Sequence, residues 1–119
     1  MKYKKILICD DDEGILEMMQ MILEDDFMVI AEQNSLNVYT QIEKEKPDLI
    51  LMDLWMPVLS GDQILKNIRK NEKLKNIPVI IISASTDGKK IASEAGANGF
   101  ISKPFDMDNL LETVKSLVP

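Results

Sequence analysis

The sequence predicts a three-layer, doubly wound α/β fold, in which a five-stranded parallel sheet carries helices on both faces. Five short apolar runs recur at about 5–9, 27–31, 49–52, 78–82 and 99–102 of the 119-residue chain. They are rich in Ile, Val and Leu and too short for helices, as expected of parallel strands buried on both faces. Segments with helical periodicity separate them. Strict alternation of strand and helix calls for right-handed crossovers and helices on both sides of the sheet.

Taken in order, Lys5-Ile6-Leu7-Ile8-Cys9 is the first strand, closed by Asp10-Asp11-Asp12. Ile15, Met18, Met19 and Ile22 follow the i, i+3, i+4, i+7 stripe of a helix packed on the sheet. The run at 27–31 is the second strand, and 35–45 is a weaker helical pattern that Pro47 ends. Leu49-Ile50-Leu51-Met52 is the third strand, closed by Asp53. Ser60-Gly61-Asp62-Gln63 matches a capping box before Ile64 and Leu65, so a helix over 61–70 follows. Val79-Ile80-Ile81-Ile82 is the fourth strand, closed by Ser83, and the helix at 87–95 stops at Gly96. Phe100-Ile101-Ser102 leads to Lys103. Asp106 is placed to N-cap the last helix, with Phe105 and Leu110 spaced as a hydrophobic staple and Leu110, Val114, Leu117 and Val118 on one face.

Length and the absence of linkers or repeats give one domain over 1–119. A hydrophobic fraction of 45% with 29% charged residues fits a globular protein. The net charge of −6 argues against nucleic acid and anionic membrane surfaces, since both need a basic face. No run approaches the roughly 20 apolar residues of a membrane span. The apolar run behind the basic start Met1-Lys2-Tyr3-Lys4-Lys5 is too short for a signal peptide. Cys9 is the single cysteine, so no internal disulfide forms and a cytoplasmic location is expected. Cys9 reads as a small strand residue, and Met18, Met19 and Met21 read as helix packing. The chain has no histidine, which excludes His-based acid–base catalysis, Ser-His triads and His-ligated zinc.

The carboxyl ends of parallel strands meet at one edge, and ligands bind there where strand order reverses. The densest chemistry falls between the first and third strands, where Asp10, Asp11 and Asp53 converge. Clustered carboxylates repel one another and raise a pKa unless a cation resolves the conflict. Hard Mg²⁺ takes one or two carboxylates together with phosphate oxygens, so the cluster reads as a Mg²⁺ site working on a phosphoryl group. Asp12 reads as a helix cap only. Lys103 follows a strand and precedes Pro104, where its ammonium can reach an anionic oxygen. Ser83 can donate its hydroxyl to a phosphoryl oxygen.

As a set, these residues resemble a response-regulator receiver domain of two-component signalling. The matching segments are Ile6-Leu7-Ile8-Cys9-Asp10-Asp11, the stretch from Asp48 through Asp53 to Pro57 with Ser60-Gly61, Pro78 to Ser83-Ala84, and Gly96 to Phe105. The resemblance spans nearly the whole chain in the right order. It implies a (βα)5 flavodoxin-like fold with strand order 2-1-3-4-5. It also implies roles. Asp53 is the phospho-acceptor, taking its phosphoryl group from a sensor histidine kinase or phosphotransfer protein. Asp10, Asp11, Asp53 and the Trp55 backbone carbonyl hold Mg²⁺, with Asp10 acting partly through water. Lys103 and Ser83 bind phosphoryl oxygens, Phe100 is the switch aromatic, and the Lys103-Pro104 bond is cis. Such a protein is a switch rather than an enzyme, catalysing only its own phosphorylation and dephosphorylation. Lacking histidine, the chain cannot itself be the phosphohistidine donor. The output element is then an unknown partner or a domain missing from this sequence, and the exposed charges Lys89, Lys90, Glu94, Glu112 and Lys115 surround the expected output face.

Some positions depart from the commonest receiver pattern. Ser83 replaces threonine but keeps the hydroxyl, and Glu13 stands where proline is common. Trp55 and Ser85 each stand two residues past a site residue; the resemblance implies that these positions flank the path of attacking water, which makes the two residues candidate rim modulators. Other readings are weaker. A haloacid-dehalogenase-type phosphohydrolase needs a second Asp where Trp55 stands. A flavin carrier needs a Ser/Thr/Gly-rich phosphate loop where Asp10-Asp11-Asp12 stands. A phosphorylation-independent binding module is disfavoured by the complete set of Asp11, Asp53, Ser83 and Lys103.

Overall fold

The computed structural model describes residues 3–119, so the first two residues of the basic start lie outside the described residues. The elements run β1 (Lys5–Cys9), α1 (Glu13–Leu23), β2 (Met28–Glu32), a 3-10 turn (Ser35–Asn37), α2 (Val38–Glu45), β3 (Leu49–Asp53), α3 (Gly61–Lys70), β4 (Val79–Ser83), α4 (Gly88–Ala95), β5 (Gly99–Ser102) and α5 (Met107–Leu117). All five strands are parallel, in the order β2-β1-β3-β4-β5. Strand order therefore reverses between β1 and β3, as the sequence predicts.

The sheet separates two cores. Leu7, Ile50, Met52 and Ile81 face α2, α3 and α4, where they meet Ile42, Leu65, Ile68 and Ala92. Ile6, Ile8, Leu51, Ile80 and Ile82 face α1 and α5, where they meet Leu16, Met19, Leu23, Leu110 and Val114. Alternate side chains of one strand thus enter opposite cores, which is why β3 and β4 read as unbroken apolar runs and are wholly buried. β2 departs from that expectation. As an edge strand it leaves Met28 and Ala31 exposed and its other residues only partly buried.

The predicted stripe of α1 is also shifted. The buried ridge is Leu16, Met19 and Leu23, while Ile15 and Ile22 are partly buried and Met18 is exposed. Two apolar ridges run side by side on this helix, and the one that meets Phe27 and Val114 beneath it is the buried one.

The helix boundaries follow local chemistry. Asp12 caps α1 by accepting the Ile15 N–H at 3.1 Å, and Asp106 caps α5 by accepting the Asn109 N–H at 2.7 Å. At α3 the Gln63 side-chain oxygen accepts both the Ser60 N–H and the Ser60 hydroxyl, at 3.0 and 3.1 Å. Gly96 ends α4 at φ 98°, a left-handed conformation that a side chain would oppose. Among the described residues no helix is long and apolar enough to cross a membrane.

Candidate functional site

The carboxyl edge of the sheet is held in register by bonds that continue past the strands. Asp10 N–H donates to the Glu32 carbonyl, Leu54 N–H to Ile82 and Lys103 N–H to Ser83. These bonds bring Asp10, Asp53, Ser83 and Lys103 from four strand ends to one crevice. Gly61 lets the start of α3 close over it, since a Cβ there would collide with the Asp53 carbonyl oxygen.

Asp10 is fully buried and Asp53 is 6% exposed, whereas Asp11 is exposed. One carboxylate oxygen from each lies within 4.8 Å of the others. Lys103 lies between two of them, with Nζ 2.7 Å from Asp53 Oδ1 and 3.0 Å from Asp10 Oδ2. The lysine expected to meet a phosphoryl oxygen thus rests on the Asp53 carboxylate. The other Asp10 oxygen accepts the Asp12 N–H at 2.9 Å.

Burial lifts the Asp53 carboxyl above its ordinary range. The Lys103 hydrogen bond pulls against that lift, and the charges of Asp10 and Asp11 add to it. For Lys103, burial alone would weaken the ammonium, but its bonds to Asp53 and Asp10 outweigh burial and hold its pKa above the usual value. The two directions are compatible. The ion pair is attractive, yet one ammonium does not offset burial plus two neighbouring carboxylates. Three carboxylates against one ammonium leave a negative, all-oxygen donor set, which suits a hard divalent cation. Among the described residues no hydrogen bond engages the Trp55 carbonyl, which leaves a further oxygen at the rim.

Ser83 is buried, and its Oγ lies 3.0 Å from Ser85 Oγ and accepts the Ser85 N–H at 3.1 Å. Trp55 is 53% exposed, and its indole N–H donates to Ser85 Oγ at 3.3 Å. Phe100 is half-buried in the α3/α4 core, beside a cleft of about 160 Å³ that Lys89, Ala92 and Ala97 also line. By strand alternation Ser83 projects on the same face as Ile81, to which Phe100 is paired in register. Of the expected output charges, Lys115 points elsewhere, with Nζ 3.8 Å from Asp26 beyond the end of α1. Cys9 is fully buried, and burial first, then the nearby Glu32 and Asp10 charges, push its thiol pKa upward, which leaves it inert.

Other residues that shape the site carry no signal in the sequence. Ser35 is buried, donates its hydroxyl to the Pro57 carbonyl at 2.6 Å and accepts the Leu59 N–H at 3.3 Å. It thereby fixes a γ-turn in the β3–α3 loop, in which Leu59 N–H also reaches the Pro57 carbonyl at 2.9 Å. The central residue, Val58, is held at φ 73°, a strained conformation for a β-branched side chain. Gln33 donates to the Asp11 carbonyl at 3.2 Å and so steadies the loop that carries the exposed carboxylate.

The sequence profile of the response regulator receiver domain matches residues 6–115. The chain belongs to that family. Response regulator Rre1 of Synechocystis sp. is 32% identical over 117 residues, which are 95% of this chain and 51% of that protein. Sporulation initiation phosphotransferase F of Bacillus subtilis is 34% identical over 122 residues, covering 100% of this receiver and 97% of its relative. The chain thus spans about half the length of the first relative and nearly all of the second. Among solved structures, chemotaxis response regulator CheY4 of Vibrio cholerae superposes with a TM-score of 0.89 at 27% identity, over 97% of this chain and 98% of that one. The fold is that of the CheY-like receivers, with strand order 2-1-3-4-5. Receivers of this family act as signalling switches rather than as classical enzymes.

Proposed function

We propose that this receiver is a Mg²⁺-dependent phosphorylation switch in which Asp53 accepts a phosphoryl group from a histidine kinase or phosphotransfer protein. The observation that carries the reading is the setting of Asp53. Its carboxylate is nearly buried, paired with Lys103 at 2.7 Å, and within 4.8 Å of carboxylate oxygens from Asp10 and Asp11. A merely structural aspartate would not need two further carboxylates beside it. When bound by Asp10, Asp11, Asp53 and the Trp55 carbonyl, Mg²⁺ supplies neutralisation of the charge on the phosphoryl oxygens.

The remaining chemistry belongs to the chain. An Asp53 oxygen attacks phosphorus, the P–O bond forms as the donor's P–N bond breaks, and the imidazole leaves with the bonding pair and takes up a proton. Lys103 exchanges its bond to the Asp53 carboxylate for one to a phosphoryl oxygen. Phosphoryl transfer relies chiefly on such positioning and charge stabilisation. The Ser83 hydroxyl then turns to another phosphoryl oxygen, and Phe100 moves inward behind it, which carries the change to the α4–β5 surface. Output passes to a separate partner or to a domain outside this sequence, and cytoplasmic action fits a kinase as donor.

Mass spectrometry after incubation with acetyl phosphate and Mg²⁺ tests this. The expected result is a gain of one phosphate, lost with EDTA and in Asp53→Asn. No gain overturns the reading and favours the phosphorylation-independent binding module.

A further inference from the structure

The switch hydroxyl is already in use at rest. A Ser83 that is to bind a phosphoryl oxygen must aim its hydroxyl into the crevice, yet its Oγ is held by both the N–H and the Oγ of Ser85, at 3.1 and 3.0 Å. Ser85 is in turn held from the opposite loop by the Trp55 indole N–H at 3.3 Å. Trp55 lies on the loop after β3 and Ser85 on the loop after β4, so this chain of bonds ties together two segments that start from separate strands. Its inner end is a buried hydroxyl and its outer end a half-exposed indole. Whichever of the two serine hydroxyls donates, carrying the Ser83 Oγ toward Asp53 breaks its bonds with the Ser85 N–H and Oγ, and the Trp55 bond ties Ser85 to the opposite loop.

Resting on the phosphorylation reading above, we propose that Trp55 and Ser85 form a latch that holds Ser83 in its resting position, with Trp55 a positioning residue that sets how readily the site accepts a phosphoryl group. A bond made only at rest lowers the population of the active arrangement, and a ligand must overcome that deficit. The latch also gives the exposed indole a purpose. A partner that draws Trp55 off Ser85 at the mouth of the site would release the switch before transfer.

Beryllofluoride with Mg²⁺, a phosphoryl mimic, is the probe, and the backbone amide resonances of Ser83 and Ser102 give a readout that does not depend on the tryptophan. Trp55→Phe keeps the ring and removes the donor, and Ser85→Ala removes the middle hydroxyl. Each is expected to lower the half-saturating beryllofluoride concentration by roughly three- to tenfold, the scale of one modest hydrogen bond. The double variant should gain no more than the better single one, since both cut the same chain. An unchanged or raised half-saturation in Trp55→Phe overturns the latch. The metal-free protein provides a second, independent reading. Ser85→Ala should shift the Trp55 indole N–H resonance and hasten its exchange, and an unmoved resonance likewise overturns the latch. Failure of the phosphorylation reading looks different, as wild type would then bind no beryllofluoride at all.

Discussion

Asp53 is under opposed demands. As the proposed phospho-acceptor it would have to be ionised to attack phosphorus, yet burial and the charges of Asp10 and Asp11 favour its protonated form, against the pull of the Lys103 hydrogen bond. In metal-free protein the ionised carboxylate is therefore a cost to the fold. Asp53→Asn, which keeps an oxygen for Lys103 to donate to, should stabilise the metal-free protein at neutral pH by roughly 1 kcal/mol. Thermal unfolding in EDTA checks this, and a less stable variant would show that the ion pair outweighs the repulsion. The Trp55 N–H holds Ser85, and the shielding hypothesis for its half-exposed ring, that it keeps water from Asp53, is separable from that bond. Trp55→Asn loses both, so phosphoryl loss should quicken by roughly twofold or more as water gains access. Trp55→Phe keeps the cover, so its phosphoryl lifetime should stay near that of wild type. Following the phosphorylated species by mass separates the variants, and equal lifetimes in wild type and Trp55→Asn would remove the shielding role.

At the scale of elements, the loops are held by side chains bonding to distant backbone. Arg69, in the last turn of α3, donates to the Gly96, Lys75 and Ile77 carbonyls at 2.9, 3.1 and 2.8 Å, and to Asn98 Oδ1 at 2.6 Å. Asn98 Oδ1 also accepts the Val79 N–H at 2.9 Å, so one guanidinium fixes the entries to both β4 and β5. Burial draws the Arg69 pKa below its usual value, although arginine stays charged. Arg69→Met keeps the stem but takes the donor from the Gly96, Lys75 and Ile77 carbonyls, and should cost roughly 2–3 kcal/mol in a urea titration. Amide exchange should rise at Gly96–Asn98 while α1 stays protected, and a uniform rise would mean global loosening instead. None of this is legible in the sequence, where Arg69 is only a basic residue near a helix end. The same holds for Ser35 and the turn at Val58, since both act through partners more than 20 residues away. What is legible is local. Caps at Asp12 and Asp106 and the stop at Gly96 depend on neighbours within a turn, and each stands as read. The α1 stripe was not decidable from sequence, because Ile15 and Ile22 are as apolar as Leu16 and Leu23 and only packing against Phe27 and α5 selects between them.

For the whole molecule, alternation of strand and helix fixes which residues share an edge, and this is why the sequence alone groups Asp10, Asp53, Ser83 and Lys103. Their resting partners are not legible there, since the choice of Asp53 for Lys103, or of Ser85 for Ser83, is settled by distances between strand ends. That arrangement ties the stability of the fold to protons and metal. Asp53 has its folded pKa raised above an unfolded value near 4, so the folded state binds the extra proton. The stability deficit it causes is full above its folded pKa and disappears as pH falls to the unfolded value. Lys103 is also raised, but as a base its contribution is present below its unfolded value near 10.4 and is lost as pH climbs through the folded pKa. Metal-free wild type should therefore gain stability relative to Asp53→Asn as pH is lowered from 7 toward 4. Mg²⁺ should cancel much of the deficit at neutral pH, because a cation that binds only the folded state stabilises by about 2.7 kcal/mol at a hundredfold excess over its Kd. For a chain of this length that corresponds to a rise of roughly 10 °C in Tm. The rise should shrink as protons compete for the carboxylates, and shrink again in Asp53→Asn, which removes a ligand charge. A Tm that ignores Mg²⁺ at pH 7.5 would separate the carboxylate cluster from metal binding and leave its repulsion without a function.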